Sequence, residues 1–198
     1  MNRILACTLM LFVAAAGAPG GAAQTPSSSS SKAQNAPASA QTPSATPAPP
    51  ARAGDVDTPE HIIAAVYDVI SGPAGKRDWD RFRSLYHPGA RLIPSGRNPQ
   101  GAVNARVLTP EDYVSRGKAI FDKEGFFERS VANRIEVWDH IAQVWSTYES
   151  RHAKDDAKPF ARGINSFQLF NDGNRWWILT IFWEQENALH PLPEPYLH

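Results

Sequence analysis

Apolar residues recur at helical spacing in the first part of the chain and at alternate positions in the rest, and that change of period divides it. Thr58-Pro59-Glu60 and Thr109-Pro110-Glu111 carry the same helix-start signature: a Thr cap, Pro at the first helical position and an acid in the first turn. Behind the first, Ile62, Ile63, Val66, Tyr67 and Ile70 share one helical face that ends near Ser71-Gly72-Pro73. Behind the second, Tyr113, Val114, Ile120 and Phe121 do the same, with Gly125 as the stop. Between them Asp78 caps a short predicted helix with Trp79, Phe82, Leu85 and Tyr86 inward, closed by His87-Pro88-Gly89. Ala90 to Ile93 reads as a brief strand ended by Pro94, and Ser95 to Leu108 as a long polar loop suited to a mouth or lid.

From Phe126 the period is two. Strands are expected near 126–139, 141–151, 160–170 and 175–185, joined at Asp139-His140, Ala153 to Pro159 and Asn171 to Asn174. Helices first and an antiparallel sheet after make an α+β domain. The last strand, Arg175-Trp176-Trp177-Ile178-Leu179-Thr180-Ile181-Phe182-Trp183, has almost nothing polar on either face. A strand apolar on both sides needs a core on one and a second buried surface on the other.

The N-terminal residues add a compartment. Asn2-Arg3, the apolar run Ile4 to Ala16 and Gly21-Ala22-Ala23 form the three parts of a secretory signal peptide over 1–23, too short to span a bilayer, so a periplasmic or secreted protein without a stable membrane span is expected. Residues 24–57 are Ser-, Ala- and Pro-rich and read as a disordered linker, which leaves 58–198 as one domain. Cys7 is the only cysteine, so the mature chain has no thiol for catalysis, thiolate metal binding or disulfides. The 20 basic and 20 acidic residues balance without a basic stripe, which argues against nucleic acid as a partner. The six His lack metal-ligand spacing, no Gly-x-Ser-x-Gly elbow occurs, and neither metal nor cofactor is expected.

The element order, together with Leu85-Tyr86-His87-Pro88-Gly89-Ala90, Ile141-Ala142-Gln143-Val144-Trp145 and Asp172-Gly173 followed by Trp176-Trp177-Ile178, resembles the nuclear transport factor 2-like (SnoaL-like) superfamily over Thr58 to about Leu189. That resemblance implies a cone: a curved antiparallel sheet packed on N-terminal helices, enclosing an apolar cavity, with dimers formed over the outer face. Its members include ketosteroid isomerase, several lyases and hydrolases, and many non-catalytic proteins, so fold carries over more readily than function. By comparison with the isomerase, Phe182-Trp183-Glu184-Gln185-Glu186-Asn187-Ala188-Leu189 matches its last strand, which turns Trp183, Ile181, Leu179 and Trp177 into the cavity and Trp176, Ile178, Thr180 and Phe182 outward. Its oxyanion-donating Tyr falls at Tyr67 and its protonated Asp at Ser166 or Asn165. Its general base falls at Pro94, which carries no proton. Isomerase chemistry is therefore rejected.

The same facing turns Gln143, Trp145, Thr147, Glu149 and Arg151 inward. A carboxylate beside Trp145 would be poorly solvated, so Glu149 is either an acid or base with a raised pKa or half of an ion pair with Arg151 or Arg162. Tyr67 and Tyr86 are either cavity donors or core; Asn165 and Ser166 are satisfied by a ligand or by a neighbour. These residues point to an exported homodimeric domain that binds a small hydrophobic molecule, with Tyr67, Trp145, Thr147, Asn165, Ser166, Trp177, Leu179, Ile181 and Trp183 around it. The alternatives are a lyase-, isomerase- or hydrolase-type enzyme using Glu149, and a non-catalytic structural or assembly module.

Overall fold

Thr58 begins the main helix by accepting a hydrogen bond from the His61 amide, and Pro59 at the first helical position gives up nothing there. This helix belongs to a computed structural model that describes residues 47–98 and 100–198. The elements run α1 (Ala53–Val56), α2 (Pro59–Ile70), α3 (Trp79–Ser84), β1 (Tyr86–Arg97), β2 (Val103–Ala105), α4 (Pro110–Phe121), β3 (Phe127–Trp138), β4 (Ile141–Arg151), β5 (Ala161–Asn171), β6 (Trp176–Gln185) and a 3-10 turn (Glu194–Tyr196). The strands form one curved sheet in the order β2-β1-β6-β5-β4-β3. Successive strands from β3 to β6 pair antiparallel, whereas β1 lies parallel to β6. The sheet is thus mixed: beside the four expected antiparallel strands it holds β1, longer than the brief strand expected at 90–93, and β2.

Both added strands come from the stretch read as a short strand and a polar loop. Polar content hid them, because β1 carries Pro88 and Pro94, which cannot donate to a ladder. Pro88 falls where the β1–β6 register shifts, between the Tyr86 and Arg91 pairings. Pro94 uses its carbonyl instead, accepting from the Arg106 amide at 3.0 Å. The chain turns back into β2 through Asn98, whose Oδ1 accepts from the amides of Gln100 and Ala102, and through Gly101 at φ 85°.

The folded part also starts earlier than Thr58. Within the stretch assigned to the linker, Val56 enters the core and Asp55 is buried. Arg81 on α3 donates to both Asp55 oxygens, at 2.8 and 2.9 Å, and to Asp68 of α2 at 2.5 Å. One guanidinium therefore ties three helices together. The expected signal peptide over 1–23, and the linker up to residue 46, lie outside the described residues.

The core lies between α2 and one face of the sheet. Ile62, Ile63, Val66 and Tyr67 from α2 meet Val144, Phe167, Leu169 and Ile178, all buried. Helix α4 closes one end. Its Thr109 hydroxyl accepts from the Asp112 amide while Asp112 accepts from the Thr109 amide, a reciprocal cap. Thr109→Ala is expected to lower stability by about 1 kcal/mol in a urea titration; an unchanged midpoint would show that the cap contributes nothing. No helix among the described residues is long and apolar enough to cross a membrane.

Candidate functional site

The sheet's faces decide what each strand residue meets, and β4 faces opposite to expectation. Ala142, Val144, Ser146, Tyr148 and Ser150 point to α2, while Gln143, Trp145, Thr147, Glu149 and Arg151 point away. A shift of one residue exchanges the two sets, because the side-chain period is two. On the outer face Trp145 is 40% exposed and touches Tyr196 of the C-terminal turn at 5.9 Å between ring centroids. Thr147 Oγ1 donates to the Tyr196 carbonyl at 2.5 Å, and Ser166 Oγ accepts from Gln143 Nε2 at 2.9 Å.

Glu149 is paired on that same face. It accepts from Arg129 at 2.6 Å and from Arg151. Burial opposes its ionisation, but the hydrogen bonds from Arg151 and Arg129 outweigh it and hold the carboxyl below the usual glutamate range. The ion-pair reading of Glu149 fits these contacts.

Strand β6 changes face part-way. Leu169 pairs with Ile178 and Gln168 with Thr180, so Leu179 is an extra residue with nothing opposite. Before this bulge Trp176 and Ile178 are in the core; after it Ile181 is buried and Trp183 packs against the core. Trp177 and Leu179 therefore leave the inner set, and Trp176 and Ile178 leave the outer one. Trp177 lies outside, donating from Nε1 to Asp172 at 2.8 Å beneath the Arg175 guanidinium. Phe182 is 46% exposed on the outer face.

The inner face holds a polar cluster in an otherwise apolar core. Tyr67 Oη and Ser146 Oγ share a hydrogen bond of 2.7 Å, and Asn165 Nδ2 donates to the same Tyr67 oxygen at 2.9 Å. Beside them is Glu128, placed by Ser71 at the end of α2: the Ser71 hydroxyl accepts from the Glu128 amide at 2.9 Å and donates to its carbonyl at 3.0 Å. Ser150 Oγ donates to Glu128 Oε2 at 2.6 Å. Glu128 as a residue keeps intermediate exposure, yet its carboxyl is crowded by protein. Burial pushes its pKa up to about 7, against the pull of Ser150 and Asn165.

Four tyrosines from four elements feel the charge of this carboxyl: Tyr67 (α2), Tyr86 (β1), Tyr113 (α4) and Tyr148 (β4). Burial raises the pKa of each, and the negative charge of Glu128 raises it further. The Tyr67 hydroxyl is bonded. Among the described residues, those of Tyr86, Tyr113 and Tyr148 have no hydrogen-bond partner, although Tyr86 is 2% and Tyr148 5% exposed. None of the three is sealed against a water-sized group, since no fully enclosed side-chain polar atom lacks a partner.

Sequence reasoning placed Tyr67 and Asn165 at this cluster and passed over Glu128, Ser146, Ser150 and Tyr148. Their signal was present in β4, where Ser146, Tyr148 and Ser150 alternate, but it was read on the opposite face. Among the described residues no group of three or more His, Cys, Asp and Glu is placed to hold a metal.

Comparison with known proteins follows the topology. A nuclear transport factor 2-like protein of unknown function from Pseudomonas putida superposes with a TM-score of 0.51 at 9% identity, over 68% of this chain and 92% of that one. The fold is nuclear transport factor 2-like. A protein of unknown function with a cystatin-like fold, from Nostoc punctiforme, aligns at a TM-score of 0.49 and 11% identity over 67% of this chain and 96% of its own. No family model matches the chain, and no curated protein does. At these identities the likeness concerns fold alone, so the nuclear transport factor 2-like architecture leaves the work of this domain to its own side chains.

Proposed function

We propose that this is an exported small-molecule-binding domain whose ligand meets the inner face of the sheet at Glu128. One observation carries the reading: a carboxyl raised toward neutrality and bonded to Ser150 shares the inner face of an otherwise apolar core with the Tyr67, Ser146 and Asn165 cluster. A ligand engaging the Glu128 carboxyl would share this core with Trp183 of β6, which is partly buried against it. A catalytic version of this reading, of lyase, isomerase or hydrolase type, runs through Glu128 rather than Glu149. Of these two glutamates Glu128 is the one raised toward neutrality, the range an acid or base needs, while Glu149 is lowered.

Export rests on the signal-like N-terminus, and a homodimer on the exposed apolar residues Phe182 and Trp145 of the outer face. Light scattering at micromolar concentration should give twice the monomer mass; a monomer would remove that part. The binding reading is tested by intrinsic Trp fluorescence during titration with small aromatic, terpenoid, steroid and lipid compounds. A saturable change with at least one class is expected, and its loss in Asn165→Leu. No response to any class would contradict the reading.

A further inference from the structure

The sheet ends on β2 at one side and on β3 at the other, and the two edges differ. Strand β2 is blunted by its length of 3 residues, whereas β3 runs for 12. The start of β3 is covered by the end of α2, where Ser71 engages the Glu128 amide and carbonyl. A bulge at Val131 then interrupts the ladder between Ser130 and Ala132. Beyond it the strand is open. On β4 the Ser150 carbonyl accepts from Phe160, next to β5, so the alternate residues Ser146, Val144 and Ala142 also turn their amides and carbonyls toward β5. Their partners on β3, Asn133, Ile135 and Val137, therefore turn theirs to the edge. Among the described residues these outward backbone groups have no hydrogen-bond partner. Large apolar side chains stand beside them in water: Val137 is 54% and Trp138 76% exposed. Arg134 and Glu136, opposite Trp145 and Gln143 on the outer face, are exposed and bonded to each other at 2.6 Å.

We infer that this edge binds the same edge of a second copy of the chain, antiparallel about a two-fold axis at Ile135, so that two sheets join into one. The charges select this occupant and this register. With the axis at Ile135, Arg134 lies opposite Glu136 of the partner subunit, and Glu136 opposite Arg134 of the partner subunit, which is favourable at directly facing positions. Moving the axis one residue either way sets Arg134 or Glu136 against its own copy, which is repulsive. The backbone agrees with the charges. Ile135 meets its copy and Asn133 meets Val137 of the partner subunit, all of them positions whose amides and carbonyls are free to close an antiparallel ladder. Trp138 comes to lie over Ala132 of the partner subunit, which takes its ring out of water. A strand of an unrelated protein would satisfy the backbone but would match both charges only by chance.

The pairing is testable by exchanging the charges. In sedimentation at high micromolar concentration the wild-type chain should be about twofold heavier than Arg134→Glu or Glu136→Arg, because each reversal sets like charges opposite each other on both sides of the axis. An equimolar mixture of the two variants should regain the wild-type mass, since one then carries only acids at these positions and the other only bases. The double variant Arg134→Glu/Glu136→Arg should regain it alone. Both side chains are exposed, so the fold should survive, which circular dichroism checks. A mass that neither reversal changes would overturn the edge pairing and leave the outer-face dimer of Phe182 and Trp145 standing. Loss of mass without recovery in the mixture and the double variant would also overturn it, because the charges would then act other than across the axis. A wild-type chain that is monomeric at every concentration would overturn both dimers and leave the edge to a peptide of another protein.

Discussion

Gly163→Ala is expected to lose on the order of 3 kcal/mol or more of stability, the upper end of overpacking costs. A β-carbon there would stand 2.2 Å from the Glu184 carbonyl oxygen and 2.7 Å from the Tyr148 hydroxyl. The first contact is with backbone, in a strand paired on both sides, Tyr148 being its partner on β4 and Gln185 on β6. Neither ladder yields without losing hydrogen bonds. The second contact links stability to the site, because the glycine makes the space that the Tyr148 hydroxyl occupies. Gly54→Ala in α1 is the control, with open space around its β-carbon. Urea denaturation of the three proteins checks this. A Gly163→Ala midpoint matching wild type would show that β5 and β6 do not approach as closely as described.

The second large effect belongs to Glu128 and is a matter of pH. Its folded pKa is raised from 4.5 to about 7, so the folded chain keeps a proton that the unfolded chain has already released. The contribution is full below about pH 4.5, and it declines as pH rises through the folded value. Over that window the loss is about 3 kcal/mol, at 1.36 kcal/mol per unit. Glu128→Gln removes the titration. It should match wild type near pH 4.5 and exceed it by up to about 3 kcal/mol at pH 8. Taking the difference between the two proteins cancels the opposite trend of Asp55, Glu111 and Glu186, whose carboxyls are lowered by Arg partners and favour the fold at higher pH. A difference that stays flat with pH would place Glu128 in ordinary solvent.

Much of the frame was legible because it rests on local chemistry. Thr58-Pro59 and Thr109-Pro110 mark the starts of α2 and α4, and Asn171-Asp172-Gly173-Asn174 marks the β5–β6 hairpin, with Gly173 at φ 93°. What escaped depended on contacts distant in sequence. The parallel pairing of β1 with β6 brings Leu92 beside Ile181, a partnership that no local pattern announces. Face was the other loss. In β6 the pattern is apolar on both sides, so it fixes no face, and the bulge at Leu179 reverses the alternation midway. In β4 the facing carried over from the isomerase comparison turns Trp145 inward, yet the core takes Ser146, which pairs with Tyr67. Glu128 was hidden too. Phe127-Glu128-Arg129-Ser130 looks like a solvated strand edge, and only the fold turns its acid inward beneath Ser150.

The central claim is that Glu128 is an ionisable group enclosed at a ligand site, and it can be observed directly. Carbon-13 NMR of the glutamate side-chain carboxyls, with Glu128→Gln to assign the signal, gives its titration in the full chain. The midpoint should lie about 7 in the free protein and move when a compound that changes the Trp fluorescence saturates the site. A midpoint in the ordinary glutamate range of about 4.3, unmoved by any such compound, would contradict the account.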